Sequence, residues 1–443
     1  MPQNDRSTAA ILVGLALLIV ALGTVSNRLS LLLGAVYGSA LIVWANPLAL
    51  PALACLWFSA EDFSMDLTRP SLREYEDLPP DADLVLLKIT LASLPAVAGR
   101  VLLEAVIRPQ SLLTCSWSRY AFAGWIFFLG LTTASSFWGW TLGNENWTQP
   151  LRASLPMGAL FYGMMIVTKL KKCPWVLMWV GCCGFAATVF YAAGVYWHHI
   201  VFFYLALCPF LAAHLVSSGK RGAGLLFMLP CVTAPLTLDM TFTQLGTLVI
   251  ASFVAGSSLN TRGPALRRIR RVGIIVLPFA AVLFLVLVLL QGERHSGVFD
   301  GAELSFFERL TEKVIEDRNV IWQAVLRDMV YYTEWISPSG RPLELTTLAG
   351  VTSYWEVHCH NAFLEMYRQM GIIGGTFFGV SLLSLWMRWA NVVAATEHSA
   401  IYVFGGAGFV SCVVGATTGI YPFDQHAGFW IWLSAGIVGL ARE

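Results

Sequence analysis

Residues 358–375, HCHNAFLEMYRQMGIIGG, gather titratable groups at the start of a long apolar segment. A neutral imidazole of His358 or His360 can take a proton from a hydroxyl group as that hydroxyl attacks. Glu365 and Arg368 stand three residues apart, so on a helix they can form an ion pair on one face. The stretch therefore predicts either acid–base chemistry or, as the alternative, a helix start that the histidines merely cap.

The apolar segment after these residues is predicted to be a membrane helix. Asn361 is suited to cap its first turn. Gly371, Gly374 and Gly375 thin the helix, so that a neighbouring element can approach closely. A histidine at this position would stand at the mouth of the membrane.

A metal site built from His358, Cys359 and His360 is a competing interpretation. Adjacent residues project in different directions, and no C-x-x-C or H-x-x-x-H spacing occurs elsewhere to complete a ligand set. We therefore expect neither a metal nor a cofactor. Cys359 is expected to be exposed on the outer side. The other eight cysteines lie in or beside apolar segments, which predicts no disulfide framework.

One arginine stands on the apolar face of a predicted amphipathic helix. The pattern over residues 303–332 is helical, and the neighbours of Arg318 on its face include Ile321, Trp322 and Val325. The planar guanidinium suits phosphate oxygens, so Arg318 is the first candidate for an anion site. The alternative is that it pairs with a buried glutamate or reaches water past Trp322. Further candidates for anion binding are Arg294, Arg341 and Arg368.

The composition of the chain indicates that these groups belong to a membrane protein. The 443 residues are 57% hydrophobic and 12% charged, which is more apolar surface than a soluble protein can bury. Seventeen tryptophans agree with this, because indoles collect at membrane–water boundaries. A net charge of +1 leaves no broad basic face, which excludes a nucleic-acid partner. The N-terminus runs into an apolar helix, which we interpret as a retained first span.

The apolar runs predict an all-α polytopic membrane protein of about 12, and up to 14, transmembrane helices. From residue 119 onward these runs fall at 119–137, 152–169, 174–196, 198–217, 223–240, 242–258, 272–291, 361–387, 399–419 and 427–441. The higher count applies if residues 29–59 form two spans and residues 84–107 form one. Short loops rich in lysine and arginine fall on one side in either count, which predicts that this side is cytoplasmic. The only large loop of the second half then faces the periplasm or the cell exterior, before the last three spans. The predicted parts are a transmembrane bundle (1–291), a helical periplasmic loop (292–360) and C-terminal transmembrane helices (361–443).

The order of these features resembles the O-antigen ligase and polysaccharide polymerase superfamily of bacterial envelopes. The resemblance rests on residues 312–375, with DRNVIWQAVL in the loop followed by HCHNAFLE and GIIGG. It implies a metal-independent, inverting glycosyltransferase of the inner membrane, which moves a glycan from undecaprenyl pyrophosphate to an acceptor hydroxyl of lipid A–core. It also implies His360 as the general base and Arg318 as the pyrophosphate ligand. The other implied substrate-binding residues are His358, Arg294, Arg341, Arg368 and Glu365.

One position departs from the family pattern. Members usually carry another arginine near the outer end of the helix two before the large loop, where this chain has Gln244. Glutamine cannot neutralise phosphate, so Arg294, Arg341 or Arg368 substitutes, or the donor is held differently.

Other functions remain open at this point. A repeat-unit polymerase, which uses a lipid-linked glycan as acceptor, and a protein O-oligosaccharyltransferase would use the same chemistry. A transporter or flippase would place ionisable residues near mid-membrane and repeat its halves, and neither feature is evident. Asp81 and Asp83 form a bare D-x-D pattern that could serve a metal-dependent transferase or a solvated loop. A membrane scaffold would leave the position of Arg318 unexplained.

Overall fold

A computed structural model of the protein shows a bundle of apolar helices. The residues that the structure describes are Gly14 and residues 97–113, 115–144, 147–170, 174–192, 198–237, 242–259, 264–290, 318–331, 333–341, 343–346, 353–356, 359–395, 399–419, 421–423 and 425–439. His358, Arg294, the D-x-D pattern and the predicted runs before residue 97 lie outside these residues, as do residues 84–96 and 303–317.

The described elements follow one another as helices, apart from one pair of strands. They are α1 (97–107), α2 (Pro109–Leu112), α3 (Ser116–Thr141), α4 (Gln149–Ser154), α5 (Gly158–Leu170), α6 (Pro174–Ala192), α7 (His198–Ser217), α8 (Arg221–Thr237), α9 (Phe242–Leu259), α10 (Pro264–Leu290), α11 (Arg318–Tyr331), β1 (Leu343–Thr346), β2 (Ser353–Glu356), α12 (Ala362–Ala395), α13 (Ala400–Thr418), a 3₁₀ turn (Tyr421–Phe423) and α14 (Gln425–Gly439).

These helices are those of a membrane protein. Among the described residues, α3, α12 and α13 are long and apolar enough to cross a bilayer, and six further helices are apolar but shorter. A bilayer satisfies none of the backbone hydrogen-bonding groups, and a helix satisfies them within its own segment. The predicted runs from residue 119 onward coincide with described helices, for example 399–419 with α13. The run 152–169 is divided into α4 and α5 by a turn at residues 155–157.

Helix α13 forms the centre of the bundle. Its sequence carries no charged residue, and 94% of its apolar window is buried. It packs against α7, α9, α12 and α14, while α14 also packs along α5. Glycines 163 and 436 face each other at that last contact, where a Cβ on either would meet the other helix's backbone. Close packing of small residues is how membrane helices associate when lipid removes the hydrophobic drive.

Helix α12 is interrupted at Gly371, whose φ of 74° and ψ of −167° are not helical. Residues 333–341, which we call the inserted segment, lie against this break. A Cβ at position 371 would stand 2.7 Å from the Glu334 carbonyl oxygen and 2.8 Å from the Ser337 nitrogen. Gly371 therefore admits a neighbour, as predicted, but the neighbour is an irregular segment and not a helix. Gly374 and Gly375 instead face side chains of α12 itself.

The large loop contains α11, which coincides with part of the amphipathic helix predicted over residues 303–332. Helix α11 begins at Arg318, and the predicted part from 303 to 317 lies outside the description. The loop also contains β1 and β2, an antiparallel pair in which Leu343 lies opposite Glu356. These two short strands are an exception to the predicted all-α fold.

Candidate functional site

The turn before α12 holds His360 in a conformation that few residues adopt. Its φ is 51°, in the left-handed region, which costs a non-glycine residue about 1 kcal/mol. Two hydrogen bonds fix the residue before it. The Cys359 N–H donates to Oε2 of Glu365 over 2.9 Å, and Nε1 of Trp322 donates to the Cys359 carbonyl over 2.8 Å. The half-buried His360 is thus presented by a fixed turn.

Asn361 fastens the other side of this turn. Its Oδ1 accepts hydrogen bonds from the N–H groups of Phe363 at 3.0 Å and Leu364 at 3.1 Å, so the predicted helix cap is confirmed. Its Nδ2 donates to the carbonyl of Thr417 over 2.9 Å, at the end of α13. One buried amide therefore ties the start of α12 to the central helix.

Glu365 is the polar centre beneath the turn, and only 1% of it is exposed. Its Oε1 accepts from Nη2 of Arg368 at 2.6 Å and from Nε2 of Gln369. The predicted i, i+3 ion pair is confirmed. Gln369 also donates to Oε1 of Gln149 over 3.0 Å. Because a buried carboxylate is costly unless it is paired and hydrogen-bonded, these donors allow Glu365 to hold the Cys359 N–H at the site.

Helix α11 covers the turn with its apolar face. Ile321, Trp322 and Val325 are buried against Cys359 and Leu364, as their spacing predicts. Arg318 is the first residue of α11 and lies one turn, about 6 Å along the axis, before Trp322. The Trp322–Cys359 hydrogen bond therefore brings the N-terminal end of α11 close to the His360 turn. The Arg318 side chain is outside the described part.

The prediction that Cys359 is exposed is wrong. The residue is fully buried, because α11 closes over it and its Sγ lies 3.3 Å from the Asn361 carbonyl. Burial, reinforced by the Glu365 carboxylate, raises the pKa of the Cys359 thiol well above its usual range. A thiol held neutral in this way is a packing group and not a nucleophile or a metal ligand.

A cleft with about 40 Å³ of room for solvent opens beside this site, between α11, the inserted segment and α12. Four of its lining residues are charged: Asp328, Glu334, Arg341 and Arg368. Arg341 pairs with Glu334 over 2.9 Å, and Nη1 of Arg368 donates to the Arg341 carbonyl over 2.6 Å. Burial raises the pKa of Asp328, although Arg341 and Arg368 oppose the rise. His360 is not among the cleft-lining residues of the described chain.

The structure brings together some of the predicted site residues and separates others. Arg341, Arg368 and Glu365 are joined in one network with a carboxylate facing each guanidinium, and His360 stands on the turn that this network supports. Gln244 is fully buried in α9 and does not line the cleft. Sequence reasoning missed Asp328 and Glu334, which stand on the polar side of the loop elements and give no pattern of their own.

Within the described ranges, no three residues among histidine, cysteine, aspartate and glutamate are placed to hold one ion. The site that the described chain offers is therefore one of a histidine, buried ion pairs and a capped helix start.

Comparison with protein-family models, with characterised proteins and with solved structures finds no match for this chain. The resemblance to the O-antigen ligase and polymerase superfamily thus rests on the motifs from 312 to 375 and on the predicted order of helices and loops.

Proposed function

We propose that the protein is a membrane glycosyltransferase of the O-antigen ligase type. It moves a glycan from undecaprenyl pyrophosphate to an acceptor hydroxyl, such as one on lipid A–core, during lipopolysaccharide biosynthesis. In this proposal the full chain spans the bacterial inner membrane 12 to 14 times and its site faces the periplasm.

The observation that carries the proposal is the fixed turn at His360. A general base must be held within hydrogen-bond reach of the hydroxyl that it deprotonates, and an imidazole suits this role near neutral pH. Cys359 is held by Glu365 on one side and Trp322 on the other, while Asn361 is tied to α13. A left-handed residue so tightly supported is the kind of local strain that functional sites retain.

The proposed reaction uses two groups, the imidazole of His360 and the guanidinium of Arg318. His360 takes the proton of the acceptor hydroxyl as its oxygen bonds to the anomeric carbon of the glycan. The bond from that carbon to the pyrophosphate oxygen breaks on the opposite face, which inverts the configuration. The electron pair leaves on the pyrophosphate, where Arg318 stabilises the negative charge.

Charge in the cleft favours Arg318 over Arg341 and Arg368 as the pyrophosphate ligand. The cleft lining holds two arginines and two carboxylate residues, so their formal charges cancel when all are ionised. Arg368 is further committed to Glu365. We therefore assign Arg341 and Arg368 to positioning the turn and the inserted segment.

The test is the surface-glycan profile of a deletion strain that carries the wild-type chain, His360→Ala or Arg318→Ala. Both variants should lose transfer. Arg327→Ala is the matched control, because Arg327 is an exposed arginine on the same helix. Bare lipid A–core with long chains on the carrier would identify a ligase, whereas core with a single repeat would identify a polymerase. A wild-type profile from both variants would refute the chemistry.

A further inference from the structure

Three large apolar side chains stand exposed at one edge of the loop. Val330 and Tyr331 end α11, and Trp335 follows in the inserted segment, with exposed fractions of 77%, 79% and 70%. We call these three residues the loop-tip surface. Scattered apolar residues are ordinary on a protein surface, but three large ones within six positions mark a contact site.

The inserted segment extends from the loop end of the bundle towards the middle of α3 and α12. Helices α3 and α12 run antiparallel, since Phe127 meets Phe377 with ring centroids 4.9 Å apart and Ser135 donates to the Gln369 carbonyl over 2.5 Å. The same register places Ile373 opposite residues 131 and 132. The Ile373 N–H donates to the Trp335 carbonyl over 3.1 Å, so Trp335 lies at that level.

An aromatic belt at the end of α3 gives the membrane boundary. Phe137, Trp138 and Trp140 are all exposed there, and amphipathic aromatic rings mark the headgroup level in membrane helices. Trp140 is eight residues nearer the loop than the level of Trp335, which corresponds to about 12 Å along the helix axis. Trp335 therefore lies on the membrane side of the belt.

Backbone polar groups of the inserted segment are hydrogen-bonded to other parts of the protein, as a position inside the membrane requires. Non-helical backbone is tolerated within a membrane only where its polar groups are satisfied by protein or a wet cavity. The carbonyls of Glu334 and Trp335 accept from the N–H groups that the break at Gly371 leaves available. Ser337 and Ser339 are likewise bonded, to Ser135 and to Asn144.

We propose that the loop-tip surface is a membrane anchor, which inserts into the acyl-chain region of the leaflet next to the loop. Its occupant is the lipid bilayer, because Trp335 is hydrogen-bonded to Ile373, an exposed apolar residue of α12, and α12 is long and apolar enough to cross a membrane. The anchor places the cleft wall formed by Glu334 and Arg341 beside the lipid. A lipid-linked molecule could then enter the cleft from the side. The anchor itself does not depend on the proposed transferase activity.

The experiment places an environment-sensitive fluorophore on Trp335→Cys and on Tyr331→Cys. Arg327→Cys is the matched control, because Arg327 is exposed on the same helix one turn before Tyr331, about 6 Å along the axis away from the inserted segment. The unaltered chain, labelled in parallel, gives the background from native thiols such as the exposed Cys182. Each protein is reconstituted in phosphatidylcholine nanodiscs, with and without brominated acyl chains.

We expect blue-shifted emission at positions 331 and 335 and about a twofold loss of that emission with brominated lipid, since bromines on the chains quench only probes that contact them. Position 327 should show neither effect. Equal quenching at 327 and 335, strong or weak, would overturn the proposal. Blue-shifted but unquenched emission would also overturn it, because protein, such as a second copy of the chain, would then cover the surface.

Discussion

Replacing Glu365 with glutamine tests whether a buried ion pair supports the His360 turn. The side chains of Arg368 and Glu365 are 6% and 2% exposed, and their nearest atoms are 2.6 Å apart. Removing one partner of a buried pair leaves an uncompensated charge and costs about 3–5 kcal/mol. Glutamine retains the shape and one acceptor for the Cys359 N–H. We therefore expect Glu365→Gln to lower the free energy of unfolding by about 3 kcal/mol, at the lower end of that range.

A double-mutant cycle separates the pair from the rest of the network. Arg368→Met alone should destabilise the protein, whereas Glu365→Gln with Arg368→Met should cost less than the sum of the singles by about 2 kcal/mol. The Glu334–Arg341 pair is the internal control, because its side chains are 28% and 26% exposed. Glu334→Gln should cost under about 1 kcal/mol, since solvent screens such pairs.

The measurement is unfolding in detergent micelles by titration with a denaturing detergent, with glycan transfer recorded on the same preparations. Glu365→Gln should also reduce transfer, because the turn that carries His360 loses its support. Strictly additive single and double variants would refute the reasoning. So would a Glu365→Gln protein as stable as Glu334→Gln.

Three further predictions concern the turn, the helix break and the cleft. Gly371→Ala should lower the free energy of unfolding by about 2 kcal/mol, because position 371 has a positive φ and a Cβ there meets the backbone of residues 333–341. Gly379→Ala is the control and should be close to neutral in the same thermal-shift assay, because the atom nearest to a Cβ at position 379 lies 3.7 Å away. His360→Gly should keep or slightly raise the melting temperature, since glycine relieves the left-handed strain, while transfer is lost; a destabilised variant would contradict this strain. Burial raises the pKa of Asp328 above its usual value of 3.8. The folded state therefore keeps the Asp328 proton to a higher pH than the unfolded state does. The free energy of unfolding should fall as the pH rises from about 3.8 through the raised pKa. Asp328→Asn should flatten that part of a stability–pH profile, and an unchanged slope would remove Asp328 as its source.

The parts of the structure that sequence could predict are those set by neighbours along the chain. The apolar run 399–419 became Ala400–Thr418, because a charge-free segment in a bilayer must satisfy its backbone as a helix. The Asn361 cap and the Glu365–Arg368 pair also involve residues three apart, so their spacing was enough. The roles proposed for His360 and Arg318 stay predictions, since they depend on a substrate.

The parts that sequence could not predict depend on contacts between distant residues. Ser135 and Ser337 are 202 positions apart, and their hydrogen bond helps to fix the inserted segment against α3. No local pattern specifies that a loop will lie in the break of α12. Cys359 was predicted to be exposed because its neighbours along the chain are polar. It is buried because α11 covers it, and the contacting residue of α11, Trp322, is 37 positions away in sequence.

The same distant contacts change how the arginines are interpreted. By sequence, Arg341 and Arg368 were candidate substrate ligands because each is a cation near the predicted membrane surface. In the fold, each faces a carboxylate, and Arg368 joins the Arg341 carbonyl to Glu365, which in turn holds Cys359. A displacement at the inserted segment would therefore be transmitted through two guanidinium contacts to the residue before His360. If the loop-tip surface is anchored in lipid, the position of the base depends on the bilayer, and detergent-solubilised protein should lose activity more readily than it loses its fold.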